Sequence, residues 1–199
     1  MAEDRFAEIV ILAEDRVQIR FIRSWLTRHV AHRRIRNSFA TSGSGEQFVR
    51  ERFAREAESH LRNSKKRGSM LIAVIDADTG DVEQHYRELK TMAPAWEGIF
   101  VFVPKRNIET WLRQLGGQPT NEVDDYKSSY RGDIGQAIAV AGQEFLGYVQ
   151  SRSELGEILV RSLVAGIKEA RRIPRVHEPP TRRQPLESHK SATPAGWAR

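Results

Sequence analysis

SMLIAVIDADTG, residues Ser69 to Gly80, is an apolar run that finishes in two acids, Asp76 and Asp78, with only Ala77 between them. In an extended chain the side chains alternate, so the spacing predicts Asp76 and Asp78 on one face and Ala77 on the other. Two carboxylates that close repel unless water, a base or a cation lies between them, and hard divalent cations are held by such clustered oxygens. The competing reading is a solvated strand end leading into a turn, since Asp, Thr and Gly are turn formers.

The flanking sequence decides how this strand is housed. EIVILAE (residues 8–14) is a second short apolar run ending in acid, the pattern of a buried parallel strand. Phe21, Ile22, Trp25 and Leu26 then recur at helical spacing, with Arg16, Arg20, Arg23 and Arg28 off that face. RRIRNSFAT (33–41) is a more polar strand, expected nearer an edge. SGSGEQ punctuates the chain, with Ser44 and Gln47 spaced as a capping box for a helix carried by Phe48, Val49, Phe53, Ala57 and Leu61. A polar helix is expected from about Val82 to Met92, and IFVFVP (99–104) is the fourth strand, stopped by Pro104. Strands alternating with helices predict an α/β fold with a largely parallel sheet flanked by helices. Functional groups in such sheets collect at the carboxyl ends of the strands. Three of those four ends carry chemistry: Glu14, then Asp76 and Asp78, then PKRNIETW from Pro104.

A chain of 199 residues, 39% hydrophobic, suits one core with an appendage. With no cysteine, disulfide frameworks, zinc ribbons and thiol nucleophiles are excluded. No apolar run approaches the roughly 20 residues that cross a bilayer, and MAEDRFAEIV is acidic where a secretory leader is basic, so a cytoplasmic protein with no membrane partner is expected. The net charge is +6, unevenly spread: residues 16–67 hold fourteen Lys/Arg against four Glu, whereas 68–170 hold ten against fifteen acids. That layout suits a polyanion on one side and cations on the other. Residues 134–149 and 153–171 have helical character. Five of the eight prolines lie from Pro174 onward, which reads as a disordered basic tail.

A first strand ending in Glu14 and a later apolar strand ending in Asp76-Ala77-Asp78, with helices between, resemble the Toprim domain of topoisomerases, bacterial primases, OLD-family nucleases and the ribonuclease that matures 5S rRNA. PKRNIETWL (104–112) is similar to the Pro-x-x-x-Ile-Glu-x-Trp-Leu segment of small bacterial Toprim-like proteins, and GSGEQFVRERF (43–53) also resembles that group. The resemblance implies a Toprim-like domain over residues 1–125, followed by a helical extension at 126–172 and the tail at 173–199. It implies Glu14 as general acid/base or as a helper in holding metal, Asp76 and Asp78 as holders of Mg²⁺ (or Mn²⁺), and Glu109 as a further catalytic acid. The chain departs from the family at Asp15, where Gly is frequent, and at Gly80, where a third acid often stands; Asp81 is out of phase.

Cleaving a phosphodiester needs charge neutralisation at phosphate and an activated nucleophile, which carboxylate-held Mg²⁺ supplies. Lys105 and Arg106 are candidate phosphate or nucleic-acid ligands; a salt bridge to the acids is the alternative. SGSGEQ lacks the Gly-Lys-Ser/Thr of a P-loop. His29 and His32 have no spaced metal-ligand partner and read as surface residues; Tyr126 and Tyr130 read as exposed loop tyrosines, and Trp111 as core. The expectation is therefore a Mg²⁺-dependent nuclease acting on DNA or RNA. The resemblance adds a place in antiphage defence beside an ATPase partner. The rivals are a non-catalytic nucleic-acid-binding or scaffold subunit, and phosphoryl transfer on a small phosphate ester.

Overall fold

A computed structural model describes residues 6–93, 95–130, 134–151, 154–155 and 159–174, with the side chains of 63–67 excepted. In chain order the elements are β1 (Glu8–Ala13), α1 (Arg16–His29), β2 (Ile35–Phe39), α2 (Gly45–Arg67), β3 (Ser69–Val74), α3 (Val82–Met92), β4 (Ile99–Phe102), α4 (Ile108–Leu115), a 3-10 turn (Lys127–Tyr130), α5 (Ile134–Gln150) and α6 (Arg161–Arg171). The sheet has the order β2-β1-β3-β4. All three pairings are parallel, with Ile9 opposite Ile35, Ile9 opposite Met70, and Leu71 opposite Ile99.

That order makes the chain move outward from β1 to β2 and then cross back over β1 to β3 and β4. Parallel crossovers are right-handed, so the reversal sends α1 to one face and α2 and α3 to the other. The buried side chains divide accordingly. Ile9, Ile11, Met70, Ile72, Val74, Phe100 and Phe102 join α1, α4, α5 and α6 in one core. Leu12, Leu71, Ala73, Ile75, Val101 and Val103 join α2 and α3 in the other. Strands covered on both faces read as unbroken apolar runs, and each large side chain so buried contributes roughly 1.5–3 kcal/mol.

The first core is built on rings. Phe145 of α5 lies 5.3 Å from Phe21, edge to face, and is stacked against Trp111 at 6.2 Å. Trp111 also donates from its indole N–H to Ser162 Oγ at 2.9 Å. The helices after residue 126 therefore complete the same core as the sheet. The last of them, α6, starts at Arg161, whereas helical character was expected from 153; the intervening Glu154 and Leu155 are not helical. His29, expected at the surface, is 5% exposed, with its Nε2 3.3 Å from the Ile173 carbonyl. Ile173 itself is buried, so packed chain runs beyond residue 172; the basic tail from 175 lies outside the described residues. Among the described residues no helix is long and apolar enough to cross a membrane.

Close packing makes two glycines informative. A Cβ on Gly166 of α6 would stand 2.3 Å from Cη2 of the fully buried Trp111, whereas one on Gly147 of α5 would meet nothing within 4 Å. Gly166→Ala is expected to destabilise by about 1–3 kcal/mol through overpacking. Gly147→Ala should instead stabilise by about 0.5–1 kcal/mol through helix propensity. Urea denaturation of the two variants beside the parent checks this, and equal midpoints would contradict it.

Candidate functional site

The direction of winding reverses between β1 and β3, so the carboxyl ends of these two strands flank a topological switch point, where open α/β sheets place their sites. Glu14 follows β1 directly. Its backbone N–H donates to Gln18 Oε1 at 2.9 Å, while Asp15 caps α1 by accepting from the Gln18 N–H at 2.9 Å. Asp15 is thus a helix cap, worth about 1 kcal/mol. The corner aims the Glu14 carboxylate across at β3, where Oε1 accepts the backbone N–H of Asp76 at 2.6 Å. The first turn of α2 closes over it: a Cβ on Gly45 would lie 2.6 Å from Glu14 Cβ.

Pairing continues beyond the end of β3, with Ile75 N–H donating to the Phe102 carbonyl at 3.1 Å and Ala77 N–H to the Pro104 carbonyl at 2.8 Å. Ile75 and Ala77 pack into the α2/α3 core, so Asp76 points to the opposite side and is 3% exposed. The expected alternation stops there. Asp78 has φ 45°, its carbonyl accepts the Arg106 N–H at 3.1 Å, and Gly80 N–H closes a turn onto the Ala77 carbonyl. Asp78 is therefore exposed at a turn and does not share a strand face with Asp76. Its charge still reaches Glu14.

From the far side comes α4. Asn107 caps it, accepting from Thr110 N–H at 3.3 Å, which places Glu109 in the first turn, 6% exposed. Asp76 Oδ1 and Glu109 Oε2 are both buried, with no hydrogen-bond partner among the described residues. Lys105 is committed elsewhere, its ammonium donating to the carbonyls of Thr79 and Gly80. Arg106 has φ 66° and a buried Nε without a partner. Neither forms an ion pair with these acids among the described residues.

Burial dominates the electrostatics. It pushes the Glu14 carboxyl up to about 7, against the opposing effect of the Asp76 N–H and with help from the charge of Asp78. It raises Asp76 well above the carboxylate range, reinforced by Glu14, and it also raises Glu109. The counter-charge is Lys127. Burial alone would lower its ammonium, but the charges of Asp76, Glu109, Asp78 and Asp125 outweigh that and raise it. Asp125 accepts the Lys127 backbone N–H and Asn107 Nδ2, both at 2.9 Å, which ties this turn to the start of α4.

No protein-family model, curated protein or solved structure matches the chain. The chemistry therefore rests on the geometry: Glu14 and Asp76 meet at the switch point through their 2.6 Å hydrogen bond, the charges of Glu109 and Lys127 act on Asp76, and Asp78 stands at the rim. Among the described residues no group of three or more His, Cys, Asp or Glu is close enough to chelate an ion unaided. Tyr126 is buried, its hydroxyl accepting from Asn121 N–H at 3.2 Å and its ring under the Arg113 guanidinium at 4.8 Å, so it is no exposed nucleophile. Lys127, Gly45 and Gln18 escaped the sequence reading. Gly45 was legible only as punctuation, and Lys127 sits in an aperiodic loop.

A carboxyl raised in the native state binds more protons folded than unfolded between its ordinary value and the raised one. Its contribution to stability therefore falls as pH rises through that window, here from about 4.5 to about 7 for Glu14. Glu14→Gln keeps an acceptor for the Asp76 N–H and removes the titration. Thermal melts should show the variant gaining on the parent at pH 8 relative to pH 5; a constant difference would mean that Glu14 titrates normally.

Proposed function

We propose that the protein is a Toprim-like, Mg²⁺- or Mn²⁺-dependent nuclease that hydrolyses nucleic-acid phosphodiester bonds at the Glu14–Asp76–Glu109 site. The observation that carries this reading is a pair of buried carboxylate oxygens without a hydrogen-bond partner among the described residues, Glu109 Oε2 and Asp76 Oδ1, the latter on the residue whose backbone N–H binds Glu14. Leaving a buried charged acceptor unsatisfied costs about 1–3 kcal/mol or more, and a bound cation relieves it. The donor set fits: all are hard carboxylate oxygens, which suit Mg²⁺ and Mn²⁺. The lack of a three-ligand chelate also fits, because Mg²⁺ keeps several waters and is bound by one or two carboxylates completed by substrate phosphate. An ion held by Asp76 and Glu109, with Asp78 at the rim, would supply charge neutralisation at the phosphate and activation of water.

The remaining work falls to the chain's own groups. Glu14, with a carboxyl near 7, can take up and return a proton at neutral pH, and the Asp76 N–H fixes the oxygen that does not. Lys127 balances the acids before substrate arrives and offers positive charge to a phosphate. The same lysine favours a second reading, in which its ammonium takes the part of the cation and the protein binds nucleic acid without cutting it. The place in antiphage defence, beside an ATPase, rests on the resemblance alone.

The test is the purified protein incubated with DNA and RNA panels and with mononucleotides, in Mg²⁺, Mn²⁺ or EDTA. Cleavage of a polymer is expected with either metal and none with EDTA. Asp76→Asn and Glu14→Gln should each lower the rate roughly 10²-fold or more. Glu109→Gln should lower it sharply with little loss of thermal stability. Binding without cleavage would favour the second reading, and activity on mononucleotides alone would favour phosphoryl transfer on small esters.

A further inference from the structure

We infer that the carboxyl end of edge strand β2 is a docking rim for single-stranded nucleic acid, built from two arginine–phenylalanine pairs that lead to Glu14. The inference rests on the nuclease reading and adds where the polymer lies and in what form.

Phe39 ends β2 and packs partly against the α1 core, while Phe48, in the first turns of α2, packs partly against the other core. Each half-exposed ring carries a guanidinium: Arg16 stands 5.3 Å from the Phe39 centroid and Arg52 stands 5.0 Å from that of Phe48. Arg52 is also steadied by Ser38 Oγ at 3.2 Å. The two pairs straddle the strand end, one on each face of the sheet. Between them runs the loop 40–44, with residues 41–44 exposed and open space around Gly43. Both pairs adjoin the site, since Arg16 is two residues from Glu14 and the loop ends on Gly45, which abuts Glu14.

The charge at this edge is not neutralised locally. The neighbouring acids are engaged, Glu46 with Arg50 at 2.9 Å and Glu56 with Arg36 at 2.6 Å. Arg16, Arg20, Arg23, Arg28 and Arg52 form no ion pair among the described residues. Arg16 and Arg52, which no carboxylate pairs among the described residues, are complementary to a phosphate backbone. The rings choose the form of the polymer. Aromatic and guanidinium planes engage bases only when these are unstacked, and base stacking on such platforms is tolerant of sequence.

The experiment measures binding of the full chain, in EDTA to stop cleavage, to a labelled single strand of about 12 nucleotides. A duplex of the same sequence is the comparison, across a salt series, with poly-glutamate as competitor. The single strand should bind at least about tenfold more tightly than the duplex, and Phe39→Leu with Phe48→Leu should remove about tenfold while leaving the salt slope unchanged. Arg16→Gln and Arg52→Gln, at an exposed and a half-exposed site, should each flatten the log–log salt slope by about 0.7. Should the phenylalanine variant not fold, the arginine pair decides alone. Unchanged affinity and slope in these variants, equal binding of the duplex, or full displacement by poly-glutamate would overturn the rim while leaving the nuclease reading intact. A parent protein that neither binds nor cleaves any nucleic acid would overturn both.

Discussion

The hydrogen bond from the Asp76 backbone N–H to Glu14 Oε1 joins the corner after β1 to the end of β3 at the point where the sheet reverses its winding. Much of the local structure exists to make it possible. Gln18 holds the Glu14 backbone, Asp15 starts α1, and Gly45 lets α2 approach closely enough to cover the carboxylate. Because the acceptor belongs to one strand and the donor to the next, the bond also fixes the relative height of the two strand ends. Asp76 then has only one direction available, toward α4 and Glu109.

Gathering these acids has an electrostatic cost that the rest of the fold could have avoided. Burial raises Glu14, Asp76 and Glu109 together, because each carboxylate loses water that the fold does not replace. Lys127 offsets part of that cost from the side of the 3-10 turn, and the N-terminus of α4 offsets a little more, since a carboxylate in a first helical turn gains about 0.3–1 kcal/mol. Buried polar groups held against local preference are the ordinary mark of a functional site. Structural ion pairs elsewhere in this protein look different: Arg36 and Glu56 meet in a bidentate contact that lowers the carboxyl, leaving no oxygen idle.

The parts of the fold that could be read from the sequence are those set by local pattern. β1, β3 and β4 announce themselves as unbroken apolar runs because both faces are covered, and α3 spans Val82–Met92, where a polar helix is expected. Glu14, Asp76 and Glu109 were legible because each follows the end of a strand. Asp78 was misjudged for a physical reason: the alternation that governs a free strand is cut short by pairing with Arg106, a contact 28 residues away that nothing in the local sequence encodes. His29 was misjudged likewise, since its partner at Ile173 comes from the other end of the described chain. Lys127 could not be inferred at all, because its role depends on where a loop without periodicity comes to rest.

The two edges of the sheet are finished in opposite ways. On β4 the Val101 N–H that faces outward is taken up by Glu169 of α6, and Arg172 then pairs with the same carboxylate at 2.6 Å, so helix and ion pair together close that edge. On β2, among the described residues, no further strand pairs with the edge, and Arg34, Arg36 and Arg52 stand on or beside the strand. An open strand edge invites pairing with another chain, and cationic side chains are a common way to prevent it. Here the deterrent has a direction. Arg16 and Arg52, at the carboxyl end of β2, repel a second copy of the strand there and attract a polyanion at the end of the sheet where Glu14 and Asp76 meet.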